Sequence, residues 1–341
     1  MSLQSNYPEA TQIDSIIKDA EHIVVVQADN PDADSLASSL ALEQIMGEQG
    51  KTVTLYCGID ISSYLHYIPG WDRVVKELPA KFDAAILVDC SSFTLLEQLE
   101  KTNQLGALRT RPFVIIDHHA VENDVPINNI ALVDSGSVAT GEVLYLLAQQ
   151  LDWPIDSTSA SLLSSSILAD SLGLTVESTS ARSIHVLAEL VEHGANLAEL
   201  ETRRRAAMSK PRDIISYKGQ LLQRIEYYCD NQLALVTIPW DEIQTYSPFY
   251  NPAVLVLEEL RMAEDVKLAV VLKLYPDGKI TGKLRSNFGA KVAGELAEHF
   301  EGGGHPSAAG FKTKAWQYDA LKQELITKST ALLQKEAQKE S

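Results

Sequence analysis

The fold is decided by one stretch near the start of the chain, HIVVV (residues 22–26), followed by QADNPDADS (27–35) and LASSLALEQIM (36–46). The first segment is a short β-branched run, which predicts a buried strand. The third carries apolar residues at helical spacing, and the segment between them is polar and contains Pro31. A strand, a polar turn and a helix in this order form the first half of a βαβ unit.

The same alternation continues through the first half of the chain. Further buried strands are predicted at Thr52–Tyr56, Ala84–Val88, Phe113–Ile116 and Ala131–Val133, with helical stretches at Phe93–Leu99 and Gly141–Gln150. Short β-rich runs separated by helices indicate a parallel sheet that is buried on both faces. We therefore predict an α/β fold with a doubly wound, mainly parallel sheet.

The chain changes character after its middle. Helical patterns cover Ser161–Ala169 and Ala181–His193, and the polar, basic segment Arg203–Tyr217 is interpreted as an interdomain connector, with a solvated helix face as the alternative. Strands return at Leu233–Thr237, Lys267–Leu272 and Lys279–Leu284, the last two joined by the hairpin signal Asp277-Gly278, and a helix is predicted over Gln317–Gln338. We predict a first domain over 1–200, a connector over 201–220 and a second, smaller α/β domain over 221–341.

The composition limits the compartment and the partners. With 46 acidic and 29 basic residues the net charge is −17, which argues against binding to long nucleic acids. No apolar run approaches the roughly 20 residues of a membrane span, and the polar N-terminus lacks a signal-peptide pattern. The three cysteines lie far apart, which argues against a disulfide framework. We expect a cytoplasmic protein with no membrane partner.

Carboxylates follow three of the predicted strands. The first strand runs into Asp32 and Asp34, the third ends at Asp89, and the fourth ends at Asp117-His118-His119. Because ligands collect beyond the carboxyl ends of parallel strands, neighbouring strands would bring these groups together. Converging carboxylates repel each other unless a cation holds them, and oxygen ligands with one or two imidazoles suit Mn²⁺ or Mg²⁺. The set predicts a metal site, although Asp34 or Ser35 taken alone could simply cap the following helix.

A second candidate site lies in the C-terminal half. In GGGHPSAAG (302–310), three consecutive glycines let the backbone approach a ligand and turn its amides toward an anion, with a flexible turn as the alternative. His305 adds a donor, and Ala308-Ala309 could begin a helix whose N-terminus favours phosphate. Upstream, Arg285 ends a strand and suits bidentate phosphate binding. Together these residues predict a phosphate or carboxylate pocket on the second domain.

The two sites resemble the DHH phosphoesterase superfamily and its DHHA1 C-terminal domain, with the nanoRNase/pAp phosphatase (NrnA-like) group as the nearest match. The residues that carry the resemblance are Asn30 to Asp34, Val88-Asp89, Asp117 to His119, Asp170 in a helical segment, Arg285-Ser286, and Gly302 to Gly310. The ordered set spans nearly the whole chain and is far more specific than an isolated Asp-His-His.

The resemblance implies an active-site cleft between the domains and two Mn²⁺ ions, with Mg²⁺ or Co²⁺ as options. It implies that Asp89 bridges the ions and that the other metal ligands are Asp32, Asp34, His118 and Asp170. It implies catalytic roles for Asp89, Asp117 and His119, and substrate contacts for His119, Arg285, Ser286, Gly303, Gly304 and His305. Where the family usually has a metal-binding His, this chain has Ala28, so Gln27 or Asp29 is the candidate replacement.

The implied activity is hydrolysis of very short oligoribonucleotides, and of the 3′-phosphate of pAp, by in-line attack of a metal-held hydroxide on phosphorus. A phosphodiesterase for linear or cyclic dinucleotides is one alternative, and a nucleotide-binding module with weakened catalysis is another. Short RNA or nucleotides would be the partners, and a homodimer is an option that the sequence leaves open.

Overall fold

The computed structural model describes residues 6–120, 122–287 and 289–340. The chain divides into two compact units, 1–209 and 210–341, called the first and the second unit below. The first unit contains the helices α1 (Ala10–Asp19), α2 (Ala33–Glu48), α3 (Glu97–Lys101), α4 (Leu105–Leu108), α5 (Thr140–Gln150), α6 (Ser157–Asp170), α7 (Ala181–Glu192) and α8 (Leu197–Ala207). Its strands are β1 (His22–Val26), β2 (Thr52–Tyr56), β3 (Ala84–Val88), β4 (Phe113–Asp117) and β5 (Ile130–Val133).

The second unit contains five helices and six strands among its described residues. The helices are α9 (Arg212–Gln223), α10 (Trp240–Tyr246), α11 (Pro252–Arg261), α12 (Ala293–His299) and α13 (Tyr318–Glu340). The strands are β6 (Glu226–Tyr228), β7 (Leu233–Ile238), β8 (Leu268–Leu274), β9 (Ile280–Ser286), β10 (Gly303–His305) and β11 (Ala308–Thr313).

The sheet of the first unit is parallel throughout and has the order β2-β1-β3-β4-β5. Side chains alternate along β1, so that Ile23 and Val25 pack in one core cluster while Val24 and Val26 pack in another. Both faces are therefore buried, which confirms the predicted doubly wound α/β fold. The strand order reverses between β1 and β3, and open α/β sheets bind ligands at such a switch point.

The helix after β1 begins one turn earlier than the sequence pattern indicates. Its cap is Asp32, whose Oδ1 accepts a hydrogen bond from the backbone N–H of Ser35 at 3.0 Å. The cap is thus neither Asp34 nor Ser35, which were the two candidates. Asp34 instead lies in the first turn of α2, and its side chain is almost fully buried.

The second unit is built on a mixed sheet with the order β10-β11-β9-β8-β7-β6. The β7–β8 pair is parallel and the other pairs are antiparallel. The predicted hairpin at Asp277-Gly278 is confirmed, and Gly278 has the positive φ of +75° that favours glycine in such turns. Residues of α9 to α11 pack on one face of this sheet, and residues of α12 and α13 pack on the other.

In two places the local structure differs from what the sequence predicts. Residues 201–220, the predicted connector, lie largely in α8 and α9, and the boundary between the compact units falls after Ser209. The prediction that Ala308-Ala309 begins a helix is wrong. These residues open β11, which pairs with six residues of β9 and buries every second side chain, including Ala309 and Phe311. No helix among the described residues is long and apolar enough to cross a membrane.

Candidate active site

Four of the predicted ligand residues come together beyond the carboxyl ends of the parallel strands. The Nε2 atom of His118, which follows β4, lies 3.6 Å from Asp34 Oδ2 and 3.6 Å from Asp89 Oδ1. It lies 3.5 Å from Oδ2 of Asp170, the last residue of α6. The four residues come from four different elements, and the switch-point topology brings them to one place.

These side chains form two overlapping groups of metal-ligand geometry. One consists of Asp89, His118 and His119, and the other of Asp34, His118 and Asp170, with the ligand atoms of each group within 4.8 Å of one another. His118 belongs to both groups. Asp32, the remaining predicted carboxylate ligand, belongs to neither, and one of its oxygens is used to cap α2.

The hydrogen bonding of His118 indicates which ring atom faces the carboxylates. Its Nδ1 lies 3.3 Å from the carbonyl oxygen of Ser137. A carbonyl oxygen can only accept, so Nδ1 carries a proton and Nε2 is the ring atom left to bind a metal. Among the described residues, Nε2 is buried without a hydrogen-bond partner and faces three carboxylates. These carboxylates repel each other unless a positive charge lies between them, and an imidazole nitrogen beside carboxylate oxygens is a donor set that fits a divalent metal.

Asp34 is fixed by hydrogen bonds to both of its oxygens. Oδ1 accepts from the hydroxyls of Ser38 at 3.0 Å and Ser166 at 2.5 Å, and Oδ2 accepts from the backbone N–H of Thr140 at 2.8 Å. All three donors are buried. Asp34 therefore has one orientation, in which Oδ2 faces His118.

Asp89 carries the strongest electrostatic penalty of the set. Burial raises the pKa of its carboxyl well above 3.8, and the charges of Asp34 and Asp32 raise it further. Its backbone has a φ of +57°, a conformation that non-glycine residues adopt mainly where surrounding structure imposes it. The pKa of Asp170 is raised as well, by burial and by Asp34. A cation at this position would offset the repulsion that these shifts reflect.

Asp117 supports the site and does not enter it. Its carboxylate is buried and accepts from Ser91 Oγ at 2.6 Å, from His119 Nδ1 at 2.8 Å and from the backbone N–H groups of His118 and His119. Burial acts to raise the pKa of Asp117, but the hydrogen bonds from His119 and Ser91 outweigh it and the pKa is lowered. The same contact raises the pKa of His119, whose side chain is half-exposed. Asp117 thus orients the ring of His119 and makes it easier to protonate.

One of the two candidate replacements for the usual His, Gln27, is a buried amide. Gln27 follows β1 and is fully buried, and neither of its side-chain polar atoms has a hydrogen-bond partner among the described residues. Asp29 is directed elsewhere, because its carboxylate accepts from the backbone N–H of Gln98 at 2.8 Å. Burial of this carboxyl raises its pKa. Of the two candidate replacements, Gln27 is the one whose side chain is left without a partner.

In the second unit, Arg285 and His305 flank the same residue of the sheet. Ala308 of β11 lies opposite Arg285 of β9 on one side and opposite His305 of β10 on the other. Residues opposite each other on neighbouring strands point to the same face, so the Arg285 and His305 side chains lie on one face of the sheet, on either side of Ala308. Ser286 has another role, because it is buried and its hydroxyl accepts from the backbone N–H groups of Val292 and Ala293 at the start of α12.

Two of the three consecutive glycines are required by close packing, and the third is not. A Cβ on Gly302 would lie 2.3 Å from the carbonyl oxygen of Gly310, and one on Gly304 would lie 2.7 Å from that of Ala308. Both glycines therefore allow β10 to approach β11 closely. A Cβ on Gly303 would meet nothing within 4 Å. Only Gly303 has open space beside it that a ligand could use.

Two residues that organise the site were missed by sequence reasoning. Thr140 holds Asp34 through its backbone, and its hydroxyl donates to Asp89 Oδ1 at 3.0 Å. Ser166 holds Asp34 and accepts from the backbone N–H of Gly141. The sequence places Ser166 in a helical segment and Thr140 just before one, and hydroxyl residues at such positions carry no signal of a contact with a distant carboxylate.

Comparison with known proteins identifies both units. Residues 22–169 match the DHH family, N-terminal domain, and residues 253–331 match the DHHA1 domain. The chain carries a DHH domain and a DHHA1 domain. This confirms the resemblance that the motifs predicted. The predicted enzyme class, a phosphoesterase hydrolase, is confirmed with it.

The relatives of this DHH/DHHA1 protein include bifunctional enzymes. The bifunctional oligoribonuclease and PAP phosphatase NrnA of Bacillus subtilis (strain 168) is 22% identical, over 84% of this chain and 87% of its own. The protein of the same name from Thermus thermophilus is 26% identical, over 85% of this chain and 83% of its own. The crystal structure of an exopolyphosphatase-related protein from Bacteroides fragilis matches with a TM-score of 0.78 at 20% identity, covering 96% of this chain and 98% of the other.

Proposed function

We propose that this protein is a divalent-metal-dependent phosphoesterase that hydrolyses very short oligoribonucleotides and the 3′-phosphate of pAp. The observation that carries the metal dependence is the buried, unpartnered Nε2 of His118 facing Asp34, Asp89 and Asp170. The substrate class is supported by the two NrnA proteins, which are similar to this chain over most of their length.

Asp34, Asp89, His118 and Asp170 would hold the metal, with Asp32 and Gln27 as further candidates for a second ion. Carboxylates with a single imidazole suit Mn²⁺, and Mg²⁺ or Co²⁺ would also fit. When bound, the metal would lower the pKa of water and stabilise negative charge on the phosphoryl oxygens. Asp34 and Asp89, already oriented by Thr140, would keep their positions through the reaction.

His119 is suited to contact the phosphoryl group. Its Nδ1 proton is held by Asp117, which leaves Nε2 as the free ring atom of a half-exposed side chain. The Asp117 carboxylate raises the pKa of His119, which makes the ring easier to protonate, and in the protonated ring Nε2 donates. We infer that His119 donates to a phosphoryl oxygen and stabilises the negative charge that develops there. Asp117 would act by keeping this ring oriented and charged.

Arg285 and His305 would bind the phosphate or the nucleotide that is not being cleaved. The Arg285 guanidinium can form two parallel hydrogen bonds with a phosphate, and His305 on the neighbouring edge strand can add a third. The open space beside Gly303 would let the ligand approach the backbone, while Gly304 and Ser286 would maintain the hairpin and the start of α12.

The test is hydrolysis of a panel of end-labelled di- to pentaribonucleotides, alongside phosphate release from pAp, with Mn²⁺ and then with a chelator. Turnover of both substrate types that stops with the chelator supports the proposal. Asp60→Asn is the control, since Asp60 is an exposed carboxylate that pairs with Lys76, and it should retain wild-type rates. Cleavage of pGpG or cyclic dinucleotides in preference to the panel would favour the dinucleotide alternative.

A nucleotide-binding module without catalysis would give a different result. It would bind pAp or a dinucleotide, with no turnover in Mn²⁺, Mg²⁺ or Co²⁺. Equilibrium binding of a fluorescent dinucleotide, measured beside the hydrolysis panel, separates this outcome from an inactive preparation. The cytoplasmic location and the option of a homodimer stay predictions.

A further inference from the structure

A loop of the first unit touches three of the candidate metal ligands. This loop, Asp134–Thr140, joins β5 to α5 and is called the ligand-holding loop below. One of its carbonyl oxygens accepts the hydrogen bond from His118 Nδ1, at 3.3 Å. Its last residue, Thr140, donates to Asp34 from its backbone N–H at 2.8 Å and to Asp89 from its hydroxyl at 3.0 Å. The positions of these three ligands therefore depend on the position of one loop.

One arginine, Arg182 of α7, contacts the start and the middle of the ligand-holding loop and a glutamate just beyond its end. Its Nη2 lies 3.1 Å from Asp134 Oδ2 at the start of the loop and donates to the Ser137 hydroxyl at 2.8 Å in the middle. Its Nε donates to Glu142 Oε1 at 2.7 Å, just beyond the end. The other oxygen of Glu142 accepts from the backbone N–H of Val138 at 2.9 Å. We call Arg182 and Glu142 the clamp.

Because Glu142 is buried, its carboxylate needs the Arg182 guanidinium as a partner. The side chain of Glu142 is fully buried, and Arg182 is one-third exposed. A buried carboxylate is tolerated when it is paired and hydrogen-bonded, and Glu142 has the Arg182 guanidinium, the Val138 N–H and the Ser183 hydroxyl as donors. Charge-assisted hydrogen bonds of this kind are short and directional. They fix the loop more firmly than its backbone contacts alone would.

We propose that Arg182 and Glu142 are positioning residues for the metal centre. By fixing the ligand-holding loop, they keep His118 in the form with the proton on Nδ1 and keep the Asp34 and Asp89 carboxylates aimed at one point. Neither residue is assigned contact with metal or substrate, and both act through Ser137, Val138 and Thr140. The inference rests on the proposed metal-dependent function.

The main experiment is calorimetric titration of Mn²⁺ into the metal-free full-length protein, without substrate. Arg182→Gln should weaken Mn²⁺ binding by about 10- to 100-fold, the range found when residues that orient metal ligands are replaced. The matched control is Arg73→Gln, which also removes a two-pronged Arg–carboxylate pair, with Glu43, in the same unit. The control should keep the wild-type affinity for Mn²⁺.

A second measurement reads the orientation of His118 directly. The ring-nitrogen NMR shifts of His118 in the metal-free protein should differ between wild type and Arg182→Gln, because the Ser137 carbonyl that accepts from Nδ1 is no longer held in place. Arg182→Lys should restore part of the affinity, because it keeps the charge without the fork geometry. If Arg182→Gln does not fold, Arg182→Lys and Glu142→Gln serve in the same two measurements.

The outcomes distinguish this inference from the proposed function. Wild-type protein that binds no divalent metal would overturn both. Wild-type binding with unchanged affinity and unchanged His118 shifts in a folded clamp variant would overturn the clamp alone, even if that variant melts earlier. A rise in the Kd for Mn²⁺ in Arg182→Gln, with none in Arg73→Gln, would support it. In turnover assays at saturating Mn²⁺, we expect kcat to fall while KM changes little.

Discussion

The two candidate binding regions of this protein differ in how their side chains are held. At the sheet edge of the first unit, Asp34 and Asp89 are almost fully buried, and their oxygens are fixed by donors from several elements. In the second unit, His305 lies exposed on a three-residue edge strand, where its Nδ1 is hydrogen-bonded to Ser307 two residues away. The first region is buried and rich in carboxylates, and the second is open and includes the Arg285 guanidinium.

This difference indicates a division of work. Burial strengthens electrostatic interactions and keeps groups aligned at the moment of reaction, which favours catalysis. Exposed cationic groups on a sheet edge can adapt to ligands of different length, which favours recognition. We therefore expect changes in the first unit to act on kcat and metal affinity, and changes around Arg285 to act on KM.

The largest effect is expected from Asp89→Asn. Metal ions contribute several kcal/mol to phosphoryl transfer, so losing this proposed metal ligand should cost roughly a thousandfold or more in rate. In the metal-free state the same variant should melt at a higher temperature than wild type, because a buried and repelled carboxylate is removed. Initial rates in Mn²⁺ and thermal melts in a chelator measure the two effects. A lower melting temperature in the chelator would contradict the electrostatic account.

A smaller effect of another kind is expected from Arg285→Ala. A hydrogen bond to a charged group contributes about 1.5–3 kcal/mol, so KM should rise about 10- to 100-fold while kcat stays within a few-fold. Lys314→Ala is the control, since Lys314 is an exposed cation of the same unit that pairs with Asp277. A fall in kcat with an unchanged KM would contradict the assignment of catalysis to the first unit and of substrate recognition to the region around Arg285.

The sequence predicted the parts of the fold that depend on local pattern. The strands β1, β2 and β3 have the predicted limits, because short apolar runs bounded by polar residues leave little choice of where each strand begins and ends. The convergence of Asp34, Asp89 and His118 also followed, since carboxyl ends of neighbouring parallel strands meet at one edge. Asp170, which ends α6, was expected only from the family resemblance.

The sequence did not predict what depends on contacts between distant residues. Ala308-Ala309 suits a helix locally, but pairing with β9 makes it a strand. The clamp of Arg182 joins residues 40 or more positions apart, and no local pattern marks it. The same holds for Ser166, which reaches Asp34 across 132 positions. These contacts are set by helix packing, which a single sequence does not reveal.

A still smaller effect is expected at the buried amide of Gln27. An imidazole is a stronger ligand than a neutral amide, so Gln27→His should tighten the weaker metal site by on the order of tenfold. Alternation along the chain from β1 places this side chain on the same face as Ile23 and Val25, whose core cluster also includes residues of α2 and α6. Metal content per protein after gel filtration and titration calorimetry would show a second ion or a tighter one. Unchanged metal content and affinity would mean that Gln27 lies outside the metal centre.

The smallest expected effect is a pH dependence of the metal-free protein. Burial raises the pKa of Asp89 in the folded state, so the folded chain binds this proton more tightly than the unfolded chain does. Its contribution to the free energy of unfolding is therefore greatest at low pH and declines as pH rises above the ordinary value of 3.8 toward the raised pKa. Asp117 has a lowered pKa and contributes with the opposite sign, so the wild-type curve alone mixes the two.

The difference between wild type and Asp89→Asn isolates the group. Denaturant unfolding of both proteins in a chelator, between about pH 4 and about pH 8, should give a difference that grows in favour of the variant as pH rises. Saturating Mn²⁺ should reverse the sign, because the cation replaces the proton and only the carboxylate can bind it. An equal response of both proteins to pH in the chelator would mean that Asp89 is not the group whose raised pKa makes the stability of the metal-free protein depend on pH. The electrostatic contrast between the buried carboxylates of the first unit and the open region around Arg285 would then be unsupported.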